Sequence, residues 1–386
     1  MAATDTYDAI VIGAGVEGSS TAYHLAKAGR STLMLEQFPL PHTRGSSHGH
    51  SRITRKAYPQ DFYVRMMREA YDIWANLEEE TGTTVYKKTG LIMIGEDGSP
   101  YLSRLEQAIR SSGEHCQRLS PEEFRMAYPM LRYPTEYGAV YDGVAGILYA
   151  DKSLTALQEM FVKNGGEIRS GEKMTGLFPG EIVTVRTTKR SYKTRSVVIC
   201  AGPWAPELLK PLGLHLPLKP VRITVGYWRE RKPGVLSADN GFPCTIELNA
   251  IHGADVYSLP AMEYPGHVKI VLHTGPAINP DFRDGVDDSW VLNSMVKYVK
   301  EHFPGVEGER PGIRETCIYT VTPDENFILD THPHWKNIVI GAGFSGHGFK
   351  LAPVVGKVLS ELAQGKSPSY DLTPFRIQRF FTKSSL

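Results

Sequence analysis

The fold of this 386-residue chain is indicated by the segment VIGAGVEGSS, residues 11–20. Its glycines, Gly13, Gly15 and Gly18, have the spacing G-x-G-x-x-G. That spacing allows a tight turn, a close approach of the backbone to a pyrophosphate, and close packing of a helix on a strand. An apolar run precedes the loop, and the helix expected after it would direct unpaired N–H groups at the phosphates. The segment therefore predicts a strand–loop–helix unit that binds a dinucleotide.

Glu36 supports this interpretation, because it ends the next predicted strand, residues 31–35, 21 residues after Gly15. At that place its carboxylate can accept hydrogen bonds from a ribose hydroxyl. A glycine triplet alone also occurs in ordinary turns, and a lone Glu in a loop is usually solvated. The order strand, loop, helix, strand and acid makes both alternatives unfavourable. These residues fit FAD and NAD equally.

A second glycine-rich segment, GAGFSGHGFK at residues 341–350, lies between a predicted strand and a helix expected at 351–362. It contains Gly343, Gly346 and Gly348. The flavin ring of FAD lies far beyond its pyrophosphate, so a second loop could bring N–H groups to the ring and stabilise the charge gained on reduction. An NAD enzyme has less need of such a loop. A plain glycine-rich turn is the simpler alternative.

Between the two loops the pattern changes from mixed α/β to short alternating runs. Helices are predicted at 61–82, 151–164 and 289–303, and the alternating runs are RITVGYW, CTIEL, DVYSLP, HVKIVLH and TCIYTV. We therefore expect a Rossmann-like α/β domain, split in sequence, with an inserted α+β domain built on an antiparallel sheet. The expected ranges are 1–85, 145–215 and 315–386 for the first domain, and 86–144 and 216–314 for the second.

Composition favours a small-molecule partner. Lys plus Arg number 43 and Asp plus Glu 42, and no long charge block suggests a nucleic-acid or membrane partner. No apolar run reaches the roughly 18 residues that a membrane span needs. The four cysteines are scattered without a CxxC pair. This distribution argues against a disulfide framework or structural zinc, and for a reducing compartment.

Several long segments resemble the monomeric sarcosine oxidase family of flavoenzymes. They are RGSSHGHSRITRKAYP at 44–59, AGPW at 201–204, TCIYTVTPDE at 316–325, and DTHP at 330–333 followed by GAGFSGHGFK and LAPVVGKVL. The resemblance extends over essentially the whole chain. It implies an FAD-dependent oxidase of secondary amino acids such as sarcosine, L-pipecolate, L-proline and N-methyl amino acids. Hydride transfer to the flavin would give an imine, and O₂ would become hydrogen peroxide.

The same resemblance implies the residues that hold the cofactor. They are Gly13, Gly15, Gly18, Glu36, Ser46, His48, Cys317, Gly343, Gly346 and Gly348. Cys317 falls in the segment that carries covalent FAD, which implies a thioether to the flavin 8α carbon. The remaining cysteines, Cys116, Cys200 and Cys244, are interpreted as small buried hydrophobic residues. His42 and His50 flank His48, but no carboxylate or thiolate completes a metal set and the family needs none, so no metal is expected.

The run HVKIVLH, residues 267–273, carries two further predicted site residues. In a strand, its Val268, Ile270 and Leu272 share one face, and Lys269 and His273 lie on the other. By itself the run reads as a half-exposed strand with a solvated lysine. The resemblance implies instead that Lys269 lies beside the flavin where O₂ is reduced, as a positive charge that stabilises superoxide. It implies that His273 lines the substrate pocket.

Arg52 and Arg55 are three residues apart on an extended segment, so they point to opposite sides unless the backbone bends. Taken alone they are ordinary surface cations, as is Lys350. The resemblance implies that Arg52 lies against the flavin, and that Arg55 and Lys350 bind the substrate carboxylate, a task that suits the planar fork of arginine. Tyr257 matches an aromatic residue of the substrate pocket, and Tyr319 is predicted as a second.

The C-terminal residues Ser384, Ser385 and Leu386 are close to the Ser-Lys-Leu peroxisomal address but lack its central basic residue. A frayed tail is the alternative. Because catalase removes peroxide in peroxisomes, the family likeness favours that compartment, with the import receptor as a partner. The family also implies a monomer.

Three other functions remain as alternatives. A flavin dehydrogenase that passes electrons to a quinone or carrier would lack the cation at the oxygen site, so Lys269 speaks against it. A non-catalytic flavin-binding protein would have lost some of Arg55, Lys350, Lys269 and Cys317, which are all present. An NAD-dependent dehydrogenase is disfavoured by the second glycine loop and by Cys317.

Overall fold

The computed structural model describes residues 6–111 and 113–381, which form two eight-stranded sheets and one three-stranded sheet. The strands are β1 (Tyr7–Ile12), β2 (Thr32–Leu35), β3 (Ser51–Thr54), β4 (Tyr86–Lys88), β5 (Leu91–Glu96), β6 (Gln117–Leu119), β7 (Tyr137–Asp142), β8 (Gly146–Tyr149), β9 (Glu167–Arg169), β10 (Met174–Phe178), β11 (Val183–Thr187), β12 (Ser191–Ile199), β13 (Lys219–Arg229), β14 (Cys244–Ile251), β15 (Ala254–Leu259), β16 (His267–Leu272), β17 (Ile313–Val321), β18 (Ile328–Thr331) and β19 (Ile338–Ala342). The α-helices are α1 (Val16–Lys27), α2 (Asp61–Thr81), α3 (Pro100–Ser111), α4 (Pro121–Ala127), α5 (Ala150–Lys163), α6 (Ala205–Leu209), α7 (Ser289–His302) and α8 (Ala352–Ala363).

The first sheet is the dinucleotide-binding sheet that the sequence predicts. Its strand order is β10-β11-β12-β1-β2-β9, and β19 lies beside β12 with β18 at its edge. The pairs of β1 with β2 and β12, of β12 with β19, and of β2 with β9 are parallel. Ile10 and Val11 are both fully buried although they point to opposite faces, as expected of a strand covered on both sides.

The second sheet has the order β17-β13-β16-β15-β14-β5-β7-β6. The predicted antiparallel sheet is confirmed, with one parallel pair, β14 with β5, that the sequence pattern did not indicate. One face packs on α7 through Val268, Ile270 and Leu272. The alternation of β16 therefore leaves Lys269 on the opposite face, which borders the candidate site.

The strands β17 and β3 bring residues of different sheets to the site. β17 pairs with β13 from Lys219↔Val321 to Tyr227↔Ile313, so Cys317 lies on an edge strand of the second sheet. The chain then continues into β18 and β19 of the first sheet. β3, which carries Arg52, pairs with β8 in the three-stranded sheet. The division of the chain into the two expected domains stays a prediction.

The predicted helices are confirmed by α2, α5, α7 and α8, with ends within one or two residues of those expected. A single 3₁₀ turn, Phe349–Leu351, precedes α8 and holds Lys350. None of the helices in residues 6–111 and 113–381 combines the length and the apolar character that crossing a membrane requires.

Candidate active site

The first glycine loop has the close contacts that its spacing predicts. Gly13 has φ +103°, and a Cβ there would lie 2.5 Å from the carbonyl oxygen of Cys200. A Cβ on Gly18 would lie 1.9 Å from the carbonyl oxygen of Gly13. Larger residues would therefore push α1 away from the sheet. Gly13 and Gly15 line a cavity of about 420 Å³, at which the N-terminus of α1 lies.

Glu36 lines the same cavity and is 6% exposed. Its Oε2 accepts a hydrogen bond from the backbone N–H of Ala14 at 3.0 Å, and its Oε1 accepts one from Phe38 at 3.0 Å. Burial raises the pKa of Glu36, but hydrogen bonds from His42, Ala14 and Phe38 outweigh it and leave the pKa below its usual value. The ionised carboxylate keeps unused lone pairs. The glycine cradle and this acid fit the pyrophosphate and ribose of a dinucleotide.

Arg52 organises the loop that precedes β3. Its guanidinium donates hydrogen bonds to the carbonyl oxygens of Ser46 at 3.0 Å, His48 at 2.5 Å and Ser51 at 2.7 Å. The Sγ of Cys317 lies 3.6 Å from the same Ser46 oxygen. The loop and the cysteine are thus held together where the two sheets meet.

His48 lies between two backbone carbonyl groups. Its Nδ1 is 2.8 Å from the oxygen of Gly45, and its Nε2 is 2.9 Å from the oxygen of Thr316. Burial, followed by the positive charges of Arg52 and Arg283, lowers the pKa of His48 to about 4. The imidazole is therefore neutral at physiological pH and donates to one of the two carbonyl groups.

The second glycine loop approaches the same region from the other end of the sequence. Gly346 has φ +78°, and a Cβ there would lie 2.5 Å from Cε2 of Tyr319 and 2.6 Å from Cε1 of His273. A Cβ on Gly348 would lie 2.7 Å from Oε1 of Glu17. The backbone of this loop forms part of the cavity wall, since Gly346 lines two adjoining cavities and Gly348 the larger of them. That the loop faces a flavin stays a prediction.

A second cavity, of about 200 Å³, adjoins the first. Residues that line both cavities include His48, Arg52, Tyr319, Gly346 and Phe349. Of the predicted site residues, the smaller cavity also receives Arg55, Tyr257, Lys269, His273, Cys317 and Lys350, and the larger one Gly13, Gly15, Glu36, Ser46 and Gly348. Gly18 and Gly343 line neither cavity. They allow close packing, Gly18 on Gly13 and Gly343 on Thr322.

Arg55 and Lys350 enter the smaller cavity without a carboxylate partner among the residues that the structure describes. Arg55 follows the end of β3, so the chain leaves the strand and both arginines reach this cavity. Nη1 of Arg55 donates to the carbonyl oxygen of Ala57, and Nζ of Lys350 to that of His347. Burial, followed by the charges of Arg55 and Arg52, lowers the pKa of Lys350 well below its usual value. An anion bound between these cations would be strongly stabilised.

Three uncharged rings form another wall of this cavity. The hydroxyl oxygens of Tyr257 and Tyr319 are 3.2 Å apart. The His273 ring centroid lies 4.9 Å from that of Tyr319 and 6.0 Å from that of Tyr257. Burial is the main cause that lowers the pKa of His273 to about 4. The charge of Asp255 opposes this decrease, and the charges of Lys350 and Arg55 add to it. The neutral imidazole leaves an acceptor nitrogen for an amine.

Lys269 is buried, with 6% of its side chain exposed. Its Nζ is 3.3 Å from both the carbonyl and the hydroxyl oxygen of Ser51, and 3.1 Å from Oε1 of Glu263. Burial lowers the pKa of Lys269 and Glu263 raises it, with a net decrease. Sequence reasoning predicted Lys269 but missed Glu263, which belongs to no motif. It also missed Tyr58, although that residue falls in the quoted segment 44–59. The ring of Tyr58 lies beneath both Arg55 and Lys350.

His42 and His50, which flank His48 in the sequence, have separate partners. His42 Nε2 lies 3.5 Å from Glu36, and His50 Nδ1 lies 2.9 Å from Asp151. In the described part of the chain, no group of three or more His, Cys, Asp or Glu side chains could hold a metal ion. All four cysteines are free; Cys200 and Cys244 are buried and Cys116 is partly exposed.

Comparison with known proteins agrees with this geometry. Residues 8–362 match the family described as FAD dependent oxidoreductase, so the chain belongs to that family and FAD is its cofactor. It is 50% identical to the peroxisomal sarcosine oxidase of Mus musculus, over 99% of this chain and 98% of that protein. It is 34% identical to the monomeric sarcosine oxidase of Bacillus sp. (strain B-0618), over 98% of each. The resemblance to the monomeric sarcosine oxidase family is thereby confirmed.

A solved structure of NikD, an unusual amino acid oxidase, superposes with a TM-score of 0.83 and covers 97% of this chain and 98% of that one. Its sequence identity is 23%, so this likeness concerns the fold. The chain is thus an FAD-dependent oxidoreductase that shares its fold with NikD.

Proposed function

We propose that this oxidoreductase oxidises secondary amino acids, such as sarcosine, L-pipecolate, L-proline and other N-methyl amino acids, and forms hydrogen peroxide. The observation that carries the proposal is the pair Arg55 and Lys350, which line a cavity that adjoins the dinucleotide cavity. Within residues 6–111 and 113–381 these two cations have no carboxylate partner and donate to backbone carbonyl groups. The names of the mouse and bacterial relatives support the same substrate class.

In this proposal the substrate carboxylate lies between the guanidinium of Arg55 and the ammonium of Lys350, in bidentate contact with the arginine. The secondary amine, unprotonated, then faces Tyr257, Tyr319 and the neutral ring of His273. A bound flavin would supply the two-electron acceptor for oxidation of the carbon next to nitrogen, and the amino acid would become an imine. The imine of sarcosine hydrolyses to glycine and formaldehyde. The two cations explain why an amino acid, rather than a plain amine, is the substrate.

Lys269 and Arg52 would act on the oxygen side of the reaction. The Lys269 ammonium is close enough to Arg52 for the two charges to affect each other, and both side chains line the smaller cavity. A fixed positive charge in a buried site stabilises the negative charge that develops on O₂ as it accepts electrons. This arrangement favours an oxidase over a dehydrogenase that uses a quinone or carrier.

Peroxide formation across a substrate panel tests the proposed function. Sarcosine and L-pipecolate should give peroxide, while dimethylamine, which lacks the carboxylate, and glycine, which lacks the secondary amine, should give little. Equal rates with dimethylamine and sarcosine would contradict the proposed carboxylate site. Reduction of an added dye without peroxide formation would support the quinone-linked or carrier-linked dehydrogenase.

We further propose that FAD is attached covalently through Cys317. Its buried Sγ lies beside the Ser46 carbonyl, and the residue lines the cavity next to that of the dinucleotide. Formation of the thioether would remove the proton of Sγ and one hydrogen of the 8α methyl group as protons, and the two electrons released would pass by way of the flavin to O₂. After acid denaturation and desalting, yellow colour should stay with the wild-type chain and with Cys244→Ser, and be lost in Cys317→Ser. Colour that elutes free from the wild type would exclude the covalent bond.

We also propose a monomer located in peroxisomes. The names of the peroxisomal mouse relative and of the monomeric bacterial relative support these assignments. Residues 384–386, the expected address, lie outside the described residues. A fluorescent protein fused to residues 375–386 should enter peroxisomes, and a fusion to residues 375–383 should not. Cytosolic fluorescence from the first fusion would exclude the tail as a sufficient address.

A further inference from the structure

A continuous chain of polar side chains leads away from Lys269. Lys269 Nζ is 3.1 Å from Oε1 of Glu263, whose Oε2 is 2.6 Å from the hydroxyl of Tyr227. The same hydroxyl is 3.1 Å from Oε2 of Glu315, and Oε1 of Glu315 is 2.7 Å from the hydroxyl of Tyr264. These residues come from β13, β16, β17 and the turn before β16, so the fold itself assembles the chain of contacts.

The chain of contacts begins at buried groups, which include Tyr227 at 0% exposure, and ends at partly exposed ones. The side chains of Lys269 and Glu263 are 6% and 5% exposed. Glu315 and Tyr264 are half-buried, and the ring of Tyr264 lies 6.3 Å from that of His50, whose side chain is 53% exposed. The contacts therefore connect the buried ammonium of Lys269 with groups near the protein surface.

The hydrogens in this chain of contacts can be counted. The hydroxyl of Tyr227 has one hydrogen and can donate to only one carboxylate at a time, although two carboxylate oxygens lie within reach. The second contact becomes a hydrogen bond only when that carboxyl group carries a proton. Burial, with Glu263 and Glu315, raises the pKa of Tyr227 well above its usual value, so the phenol stays protonated. Such a hydroxyl can pass a proton on by giving one and taking another.

We propose that Glu263, Tyr227, Glu315 and Tyr264 form a relay that carries protons from solvent to Lys269 while O₂ is reduced. The inference rests on the proposed function. Conversion of O₂ to hydrogen peroxide takes up two electrons and two protons. A reduced flavin would supply both electrons and one proton, and the second proton would come from the ammonium of Lys269. Tyr227 then returns a proton through Glu263, and Tyr264 and Glu315 restore the proton of Tyr227 from solvent.

Tyr227→Phe is the sharpest test, because it removes the hydroxyl alone. The ring that packs against Tyr264 at 4.7 Å and beneath the Lys269 ammonium is kept, and both carboxylates remain. The enzyme is reduced with sarcosine without oxygen and then mixed with O₂ in H₂O and in D₂O, while flavin absorbance is followed. We expect unchanged flavin reduction, reoxidation slowed on the order of 10²-fold, and an increased solvent isotope effect on reoxidation.

Tyr133→Phe is the matched control. The hydroxyl of Tyr133 is 2.8 Å from that of Tyr298, which donates to Glu247 at 2.6 Å, so it too belongs to a buried tyrosine–carboxylate chain of contacts. Neither cavity described above is lined by these residues. Both half-reactions should keep their wild-type rates in this variant. Glu315→Gln is a second test if Tyr227→Phe does not fold, and it should slow reoxidation in the same way.

The outcomes separate the relay from the proposed function. Wild-type reoxidation in Tyr227→Phe, or slow reoxidation with an unchanged solvent isotope effect, would overturn the relay and leave the oxidase assignment intact. A wild-type enzyme that sarcosine reduces but O₂ does not reoxidise would overturn both.

Discussion

Arg55 and Lys350 lie against the same aromatic ring although 295 positions separate them in the sequence. The guanidinium carbon of Arg55 is 4.5 Å from the centroid of Tyr58, and Nζ of Lys350 is 5.8 Å from it. Two like charges so close together, both with most of their surface removed from water, destabilise each other unless an anion is present. The ring places them around a space that suits one carboxylate.

Arg55→Met should therefore raise the KM for sarcosine about 10- to 100-fold, because a hydrogen bond to a charged group contributes about 1.5–3 kcal/mol. Steady-state peroxide assays measure the effect. Arg55→Lys serves as the control: it keeps the charge but loses the planar fork, so its KM should lie between those of the wild type and the Met variant. An unchanged KM in Arg55→Met would place the carboxylate elsewhere.

Lys269→Met should slow reoxidation of the flavin by O₂ about 10²-fold or more and leave its reduction by sarcosine much less affected. The reason is that only the oxygen step develops negative charge beside Nζ. Stopped-flow absorbance resolves the two half-reactions. Lys300→Met, at a side chain that is 52% exposed on α7, provides the control and should match the wild type. If both half-reactions survive unchanged in Lys269→Met, the lysine has no role with oxygen.

Gly346→Ala should abolish most turnover of sarcosine, because the new Cβ would meet Tyr319 and His273 at 2.5 Å and 2.6 Å. Gly365→Ala is the control, because it measures the destabilisation that comes from the left-handed backbone conformation alone. Gly365 also has positive φ, +67°, but no neighbouring atom of the described residues lies within 4 Å of its Cβ position. Both variants should lose about 1–2 kcal/mol of unfolding free energy from the left-handed conformation. Equal kcat/KM in the two variants would show that the contact with the aromatic wall has no importance for catalysis.

Glu17→Gln should alter the pH dependence of stability. Glu17 is buried in the first turn of α1, and within residues 6–111 and 113–381 its Oε2 has no hydrogen-bond partner. Burial raises its pKa well above the usual value. As pH rises past the ordinary pKa, the unfolded chain ionises this carboxyl group and the folded chain does not, so stability falls until the folded pKa is reached.

Glutamine does not ionise, so the Tm of Glu17→Gln minus that of the wild type should increase between about pH 5 and about pH 8. Thermal unfolding followed by circular dichroism measures this difference. The exposed substitution Glu122→Gln should show a difference that does not change in the same direction. A constant difference for Glu17→Gln would show that this carboxyl group ionises as readily in the folded chain as in the unfolded one.

Local sequence patterns predicted much of this fold, because glycine spacing and strand alternation are local properties of the chain. The loop at Gly13, the acid at Glu36 and the face of β16 that carries Lys269 all follow from such patterns. The resemblance supplied Arg55, Lys350 and Cys317. What could not be predicted depends on pairing between distant strands: Tyr227 lies opposite Lys269 across β13 and β16, and Glu263 and Glu315 join them from other segments.

The most direct test of the oxidase assignment is a single cycle on the purified holoenzyme. Sarcosine added without oxygen should bleach the flavin absorbance, and admission of O₂ should restore it with one hydrogen peroxide formed per flavin. Absorbance that sarcosine leaves unchanged would contradict the assigned substrate class. Bleached flavin that recovers with an added quinone but not with O₂ would contradict the oxidase.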